Sequence, residues 1–387
     1  MDFNNTKIAF QDKSNQDLRR ANLLFRTMAK PWMVKTGKVL LQFALSTRLP
    51  IGWIIKPTIY RHFVGGETLE KCQPVVDLLA KSNVKSILDY SVEGKSTEEG
   101  IENALQETLR SIDNAGKNEH IPFAVFKPTA LIDTAVLKKI SFEQKTTDDD
   151  QLQYKAFADR IERLAAAAAQ NKARLLIDAE DYWYQKAIDD VVHEMMEKYN
   201  KKEVVVFNTL QMYRHDRLDY LKKLIARARE KGFYPGVKFV RGAYMEKERA
   251  RAKEEGYPSP INPDKETTDQ MYDDALRVSM ENIDMLHIFN GTHNENSNIL
   301  LAELMEKQGI ARNDERIYFS QLYGMSDHIS YNLAAEGYNV AKYIPYGPVR
   351  HVAPYLIRRA EENTSVAGQT GRELSLVLKE KQRRKKS

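Results

Sequence analysis

The chain has 387 residues, enough for one large barrel or two ordinary domains. With 42% hydrophobic and 29% charged residues it has a soluble globular composition, neither disordered nor collagen-like. Its net charge of +5 comes from 59 basic and 54 acidic residues that are mostly interspersed, a balance that gives no reason to expect a nucleic-acid partner. The only cysteine, Cys72, excludes an internal disulfide and a cysteine-rich zinc site, and fits a reducing compartment.

Residues 1–13 are polar and lack the apolar core of a secretory signal. The most apolar early segment, 39–55, is broken by Arg48 and Pro50 and is too short to span a bilayer. It is read as a helix, buried in preference to interfacial. Residues 1–80 are mostly helical and form an N-terminal arm. From residue 86 onward, short β-branched and aromatic runs alternate with longer helical patterns. The runs 86–90, 123–127, 174–178, 203–207, 236–240, 285–289, 316–320 and 338–343 make eight candidate strands. Several are continuously apolar, as strands buried on both faces must be. Between them lie amphipathic stripes such as Tyr154, Phe157, Ile161, Leu164 and Ala168.

Eight β-then-α units predict an α/β fold of the (β/α)8, TIM-like barrel type over residues 81–367, with an open doubly wound sheet as the runner-up. Residues 368–387 form a basic tail. Its last nine, 379–387, carry six basic side chains and are read as solvated, with contact to anionic lipid as the alternative.

A barrel works at the carboxyl ends of its strands. The predicted strands run into Asp89, Lys127, Asp178, Gln211, Arg241, Thr292-His293, Gln321 and Tyr343, so nearly every one delivers a polar group to the same face. Lys127 either pairs with a buried carboxylate or meets an anionic substrate. Asp178 either moves or orients protons or caps the next helix. His293 is a loop histidine without a second metal ligand at useful spacing, and no G-x-S-x-G elbow supports hydrolysis. In Lys238-Phe-Val-Arg-Gly-Ala-Tyr244, Gly242 lies between cations and either admits an anion or simply turns the chain. Arg358-Arg359-x-x-Glu362-Asn363 puts Glu362 beside both arginines. That set is a surface salt-bridge cluster or, with Lys127, a carboxylate site.

These motifs resemble the proline dehydrogenase family. The resemblance runs from His62-Phe-Val-Gly-Gly-Glu67 through Phe-Lys127-Pro-Thr-Ala-Leu, Ile-Asp178-Ala-Glu, Lys238-Phe-Val-Arg-Gly-Ala-Tyr244, Thr292-His293-Asn294 and Leu322-Tyr-Gly-Met325 to the Arg358-Arg359 motif. It implies oxidation of L-proline to pyrroline-5-carboxylate with FAD, held on a barrel without a G-x-G-x-x-G fingerprint. Lys127, Arg358 and Arg359 would hold the substrate carboxylate, with Glu362 beside the arginines, while Tyr343, Tyr244 and Leu322 would shape the pocket. Asp178 would orient the active-site network. Ala179, Gln211, Lys238, Val240, Arg241, Gly242, Thr292, His293 and Lys265 match flavin-contacting positions, and Glu93 resembles a gating acid.

Lys238 stands where many bacterial members carry arginine, which places the chain nearer the eukaryotic-like branch. The family implies a membrane quinone as electron acceptor, peripheral contact at the inner face of a membrane (cytoplasmic, or mitochondrial in a eukaryote), and a separate pyrroline-carboxylate dehydrogenase downstream. Hydroxyproline oxidation, a non-catalytic proline- or flavin-binding barrel, and a metal-dependent hydrolase are the competing readings.

Overall fold

Eight parallel strands carry the core: β1 (Val84–Tyr90), β2 (Phe123–Phe126), β3 (Arg174–Ile177), β4 (Val206–Gln211), β5 (Gly236–Val240), β6 (His287–Gly291), β7 (Ile317–Leu322) and β8 (Val340–Tyr346). In this computed structural model, which describes residues 1–47, 49, 52–91, 97–365 and 369–386, they close into a barrel in chain order. Closure rules out the open sheet. Each predicted run overlaps one strand, because strands covered on both faces are rich in apolar residues.

Two boundaries shift for local reasons. The fourth strand starts later than its valine run, since Asn200 Oδ1 accepts from the Val205 and Val206 N–H groups at 3.0 and 2.9 Å. It then continues through polar Asn208, Thr209 and Gln211, all buried. Thr209 Oγ1 donates to the Ile177 carbonyl at 2.7 Å, so a hydroxyl inside the strand finds its partner on the neighbour. The eighth strand runs on to Tyr346, so Tyr343 lies in mid-strand, opposite Ile87 of β1, and not at the strand end as expected.

The chain divides into two compact units, residues 94–320 and residues 1–93 with 321–387. In the first, Phe123 packs edge-on against Phe207, Phe289 and Tyr318, with ring centroids 5.0–5.4 Å apart. Arg174 lies over the Phe123 and Tyr318 rings. Phe123, Arg174, Phe207 and Tyr318 sit at or near the amino ends of their strands, where a barrel is stabilised rather than catalytic.

In the second unit, Gly65 N–H donates to the Pro345 carbonyl at 3.0 Å, and Tyr60 Oη donates to the Gly347 carbonyl at 2.8 Å. His62 Nε2 donates to the Gly324 carbonyl at 2.9 Å. Gly324 has φ +80°, and a Cβ there would lie 2.2 Å from the His62 carbonyl oxygen, so the Leu322-Tyr-Gly-Met325 motif needs its glycine.

Two expectations about this unit are corrected. The basic tail is not an unstructured chain: it is the helix Gln369–Lys386, which buries Leu376 and Val377 with Leu18 and Phe25 of the arm while Lys379, Lys385 and Lys386 stay exposed to solvent. Arg384 donates to the Phe10 and Lys13 carbonyls, both at 2.8 Å. The apolar segment is not buried either. The helix Pro31–Ser46 buries only Ala44, and the short helix Gly52–Ile55 buries nothing.

Candidate active site

Strand ends of the 94–320 unit gather three of the predicted residues. Asp178 N–H donates to the Phe126 carbonyl at 3.1 Å, carrying the β2–β3 ladder one residue past β3. Lys127 and Asp178 therefore leave neighbouring strands side by side. Lys238, buried at the centre of β5, donates from Nζ to Asp178 Oδ1 at 2.5 Å. Lys127 Nζ lies 3.7 Å from the other carboxylate oxygen. Asp178 caps no helix, since the following one, Tyr182–Tyr199, starts after Asp181. The helix-cap reading of Asp178 is therefore excluded. Two lysines around one aspartate leave a site electrostatically suited to an anion.

Glu180 was not singled out from the sequence, although it stands inside the Ile-Asp178-Ala-Glu motif. Its buried carboxylate accepts from Thr129 N–H at 3.0 Å and from Thr129 Oγ1 at 2.5 Å. Gln211 Nε2, at the end of β4, donates to the Glu180 carbonyl at 2.6 Å. The loops after β2, β3 and β4 are thus tied together two residues beyond Lys127 and Asp178. Burial pushes the Glu180 carboxyl up to about 7, against the lowering effect of the Thr129 bonds.

A second cluster forms around Arg241. Its Nε donates to Asp269 Oδ1 at 2.6 Å, Nη1 to Thr292 Oγ1 at 2.7 Å and Nη2 to Ser297 Oγ at 3.0 Å. The guanidinium also lies 4.4 Å from the centre of the Tyr272 ring. Lys265 pairs with the same Asp269, one helical turn away. Burial would raise the Asp269 carboxyl, but its bonds to Lys265 and Arg241 outweigh that and hold it below the usual range. Asp269 was missed, although its i,i+4 spacing from Lys265 was readable.

Gly242 follows with φ +130°, and a Cβ there would fall 2.6 Å from the Tyr213 ring. Bare backbone is required next to these cations. His293 is half-buried between Thr292 and Asn294, and Asn294 caps the helix Glu295–Lys307 by accepting from Ser297 N–H at 3.1 Å. Val240 ends β5, Tyr244 immediately precedes the helix Met245–Glu255, and Ala179 links Asp178 to Glu180.

The other predicted residues belong to the second unit. Leu322 ends β7, and the next N–H, of Tyr323, donates to the Tyr343 carbonyl at 2.9 Å. Lys342 Nζ donates to the Met325 carbonyl at 2.5 Å and pairs with Asp327 at 2.9 Å. Adjacent strand residues project oppositely, so Tyr343 leaves β8 on the face away from Asp327. Arg358 and Arg359 lie well inside the helix Val349–Ser365. Arg359 is buried and donates from Nη2 to Glu362 at 2.5 Å, which sets it apart from a surface salt bridge. Burial raises the Glu362 carboxyl although both arginines act to lower it. Glu93 lies outside the described residues.

Comparison with known proteins places these motifs in one family. The family model described as proline dehydrogenase matches residues 72–372. A carbapenem antibiotics biosynthesis protein, CarD, of Pectobacterium carotovorum subsp. carotovorum is 35% identical over 83% of this chain and 83% of that protein. Hydroxyproline dehydrogenase of Xenopus laevis is 32% identical over 97% and 88%, and mitochondrial proline dehydrogenase 1 of Homo sapiens is 41% identical over 62% and 40%. The crystal structure of proline utilization A from Bdellovibrio bacteriovorus inactivated by N-propargylglycine superposes with a TM-score of 0.76 at 20% identity, over 94% of this chain and 43% of that one. At that identity the superposition speaks for the fold alone. The matched span contains both the lysine–aspartate cluster and the Arg358-Arg359 motif, and the chain belongs to the proline dehydrogenase family.

Proposed function

We propose that this chain oxidises L-proline to pyrroline-5-carboxylate using FAD. The observation that carries the reading is the Lys127–Asp178–Lys238 cluster, built from residues just past β2 and β3 and the middle of β5, within the family-matched span. Lys127, Arg358 and Arg359 hold the substrate carboxylate. Tyr343 packs on the ring, with Leu322 and Tyr244 shaping the pocket and Glu362 keeping Arg359 in place. Glu93 gates the site. Oxidation at the carbon beside nitrogen needs a neutral amine, and cations near the carboxylate favour loss of the ammonium proton.

The residues present fit a flavin. Arg241, Lys265, Gln211, Thr292, His293 and Lys238 form a donor-rich set, Gly242 presents bare backbone among them, and Ala179 and Val240 add small apolar surface. FAD held there supplies two-electron oxidation of the carbon–nitrogen bond. Asp178 fixes the Lys238 ammonium in place, so the pair positions a point donor where a guanidinium fork would offer two. A membrane quinone is the final acceptor, reached by peripheral contact at a membrane's inner face, mitochondrial in a eukaryote. The imine product passes to a pyrroline-carboxylate dehydrogenase.

The test is the visible spectrum of the purified protein without air, before and after L-proline. Flavin absorbance that bleaches supports cofactor, substrate and electron transfer together. Yellow protein left unbleached points to another amine or a sensor, and protein still colourless after added FAD sinks the reading.

A second reading has one specific support, the alignment of a hydroxyproline dehydrogenase along 97% of the chain. Relative bleaching by L-proline and 4-hydroxyproline separates the two, since Tyr343 against the ring crowds an added hydroxyl.

A further inference from the structure

The helix Pro31–Ser46 turns an apolar arc outward. At 100° per residue, Trp32, Val39, Leu40 and Phe43 fall within one arc of roughly 100°. All are exposed: Trp32 by 66%, Leu40 by 62% and Phe43 by 61%. Lys38 lies on the opposite side, where its Nζ pairs with Glu361 of the helix Val349–Ser365 at 2.6 Å. Val34, Leu41 and Leu45, half-buried, share the inward side with Lys38, so the helix keeps one apolar side against protein and leaves a second apolar arc facing out. Trp53, 75% exposed, and Ile54 are likewise exposed on the short helix Gly52–Ile55. A contiguous apolar surface on a water-facing element marks an interaction site.

Charge says what the partner is. Between Asp17 and Glu67 the sequence carries nine lysines and arginines and no aspartate or glutamate. Lys30 and Lys35 are exposed and flank the apolar arc. Aromatic and aliphatic side chains within a stretch whose only charges are basic fit a lipid surface with anionic headgroups, with the tryptophans at headgroup level and Lys30 and Lys35 at the phosphates. Among the described residues, no helix is long and apolar enough to cross a membrane. At 16 residues, the helix Pro31–Ser46 suits lying in the interfacial plane.

We propose that the outward arc of the helix Pro31–Ser46, together with the exposed Trp53, inserts into the headgroup layer of an anionic membrane and seats the protein there. The inference deepens the peripheral-membrane part of the proposed function and rests on it only for the purpose of docking. It also assigns the contact to the arm. The basic tail helix instead has Arg384 tied to arm carbonyls and both Arg383 and Arg384 tied to Glu380.

The full chain is sedimented with vesicles of phosphatidylcholine, alone or mixed with phosphatidylglycerol, while tryptophan emission is recorded. Of the three tryptophans, Trp183 is only 2% exposed, so a blue shift reports Trp32 and Trp53. The expected result is binding to anionic vesicles with a blue shift. Replacing Trp32, Leu40 and Phe43 together by serine lowers the bound fraction about tenfold, and Lys30→Glu with Lys35→Glu weakens binding to the anionic vesicles only. Proline-dependent reduction of a soluble dye stays unchanged in both variants. The proposal is overturned if the wild type ignores both vesicle types, if the serine variant binds as well as the wild type, or if the patch instead joins two copies in a dimer that the serine variant dissolves. Dye reduction without vesicle binding sinks this inference alone, and vesicle binding without dye reduction sinks the catalytic reading alone.

Discussion

Lys238 reaches from the middle of β5 past β4 to the Asp178 carboxylate after β3, and closes a 2.5 Å ion pair across 60 residues of sequence. Both side chains are largely removed from solvent, at 7% and 16% exposure. A pair so placed is costly to break from one side, because the remaining charge stays buried.

Lys238→Met is therefore expected to destabilise the protein by about 3 kcal/mol in urea unfolding. Asp178→Asn, which keeps shape and removes charge, is expected to lower the kcat/KM for L-proline by about a hundredfold. Full activity in Asp178→Asn would remove that carboxylate from the mechanism.

Glu180 predicts a pH effect of defined sign. Its carboxyl is raised from 4.5 to about 7, so the folded protein holds this proton more tightly than the unfolded chain. The stability it contributes is fully present below pH 4.5 and is lost as pH rises through about 7. Glu180→Gln cannot ionise, so wild type minus variant stability should fall between about pH 5 and about pH 8. Parallel urea curves at both pH values would show that the carboxyl does not titrate there. Since Glu180 ties the Thr129 loop beside Lys127, the variant should also raise KM more than it lowers kcat.

Asp327 predicts the opposite sign. It pairs with Lys342 at 2.9 Å and with Lys13 at 3.3 Å, joining the start of the chain to β8. Burial acts to raise its carboxyl, but Lys13 and Lys342 overcome that and hold it far below the usual range. Its stability is present above the unfolded carboxylate value and is lost as pH falls. Asp327→Asn leaves the fully buried Lys342 without that counter-charge and should cost about 3 kcal/mol at neutral pH. The loss should shrink toward acid, as measured by thermal unfolding across pH.

Tyr343 tests substrate choice. Tyr343→Ser opens space beside the ring and should raise the rate with 4-hydroxyproline relative to L-proline by about tenfold, measured with a soluble dye acceptor. An unchanged ratio would take Tyr343 off the substrate ring.

The barrel was legible because its strands are buried on both faces. Runs such as Val204–Phe207 must be apolar without a break, and a polar residue returns where each run meets the loop. Lys127 and Asp178 could be placed at strand ends by that logic alone. Register was less legible. Asn208, Thr209 and Gln211 lie inside β4, satisfied by neighbours the local pattern does not reveal, so the valine run marked only where the strand begins.

Sequence by itself determined the alternation of strands and helices, the polar groups at the strand ends and the family motifs, since each depends on residues close along the chain. Tertiary structure alone decided which partners those groups take. Asp178 chose two lysines over a helix cap, and Glu180 became a buried acid bonded to Thr129. The same limit explains both corrected helices. Composition reveals an apolar segment at 39–55 and basic side chains on 379–387, but not what lies opposite. Burial is a property of the assembled neighbours, and here they cover the tail helix and leave the apolar arc facing outward.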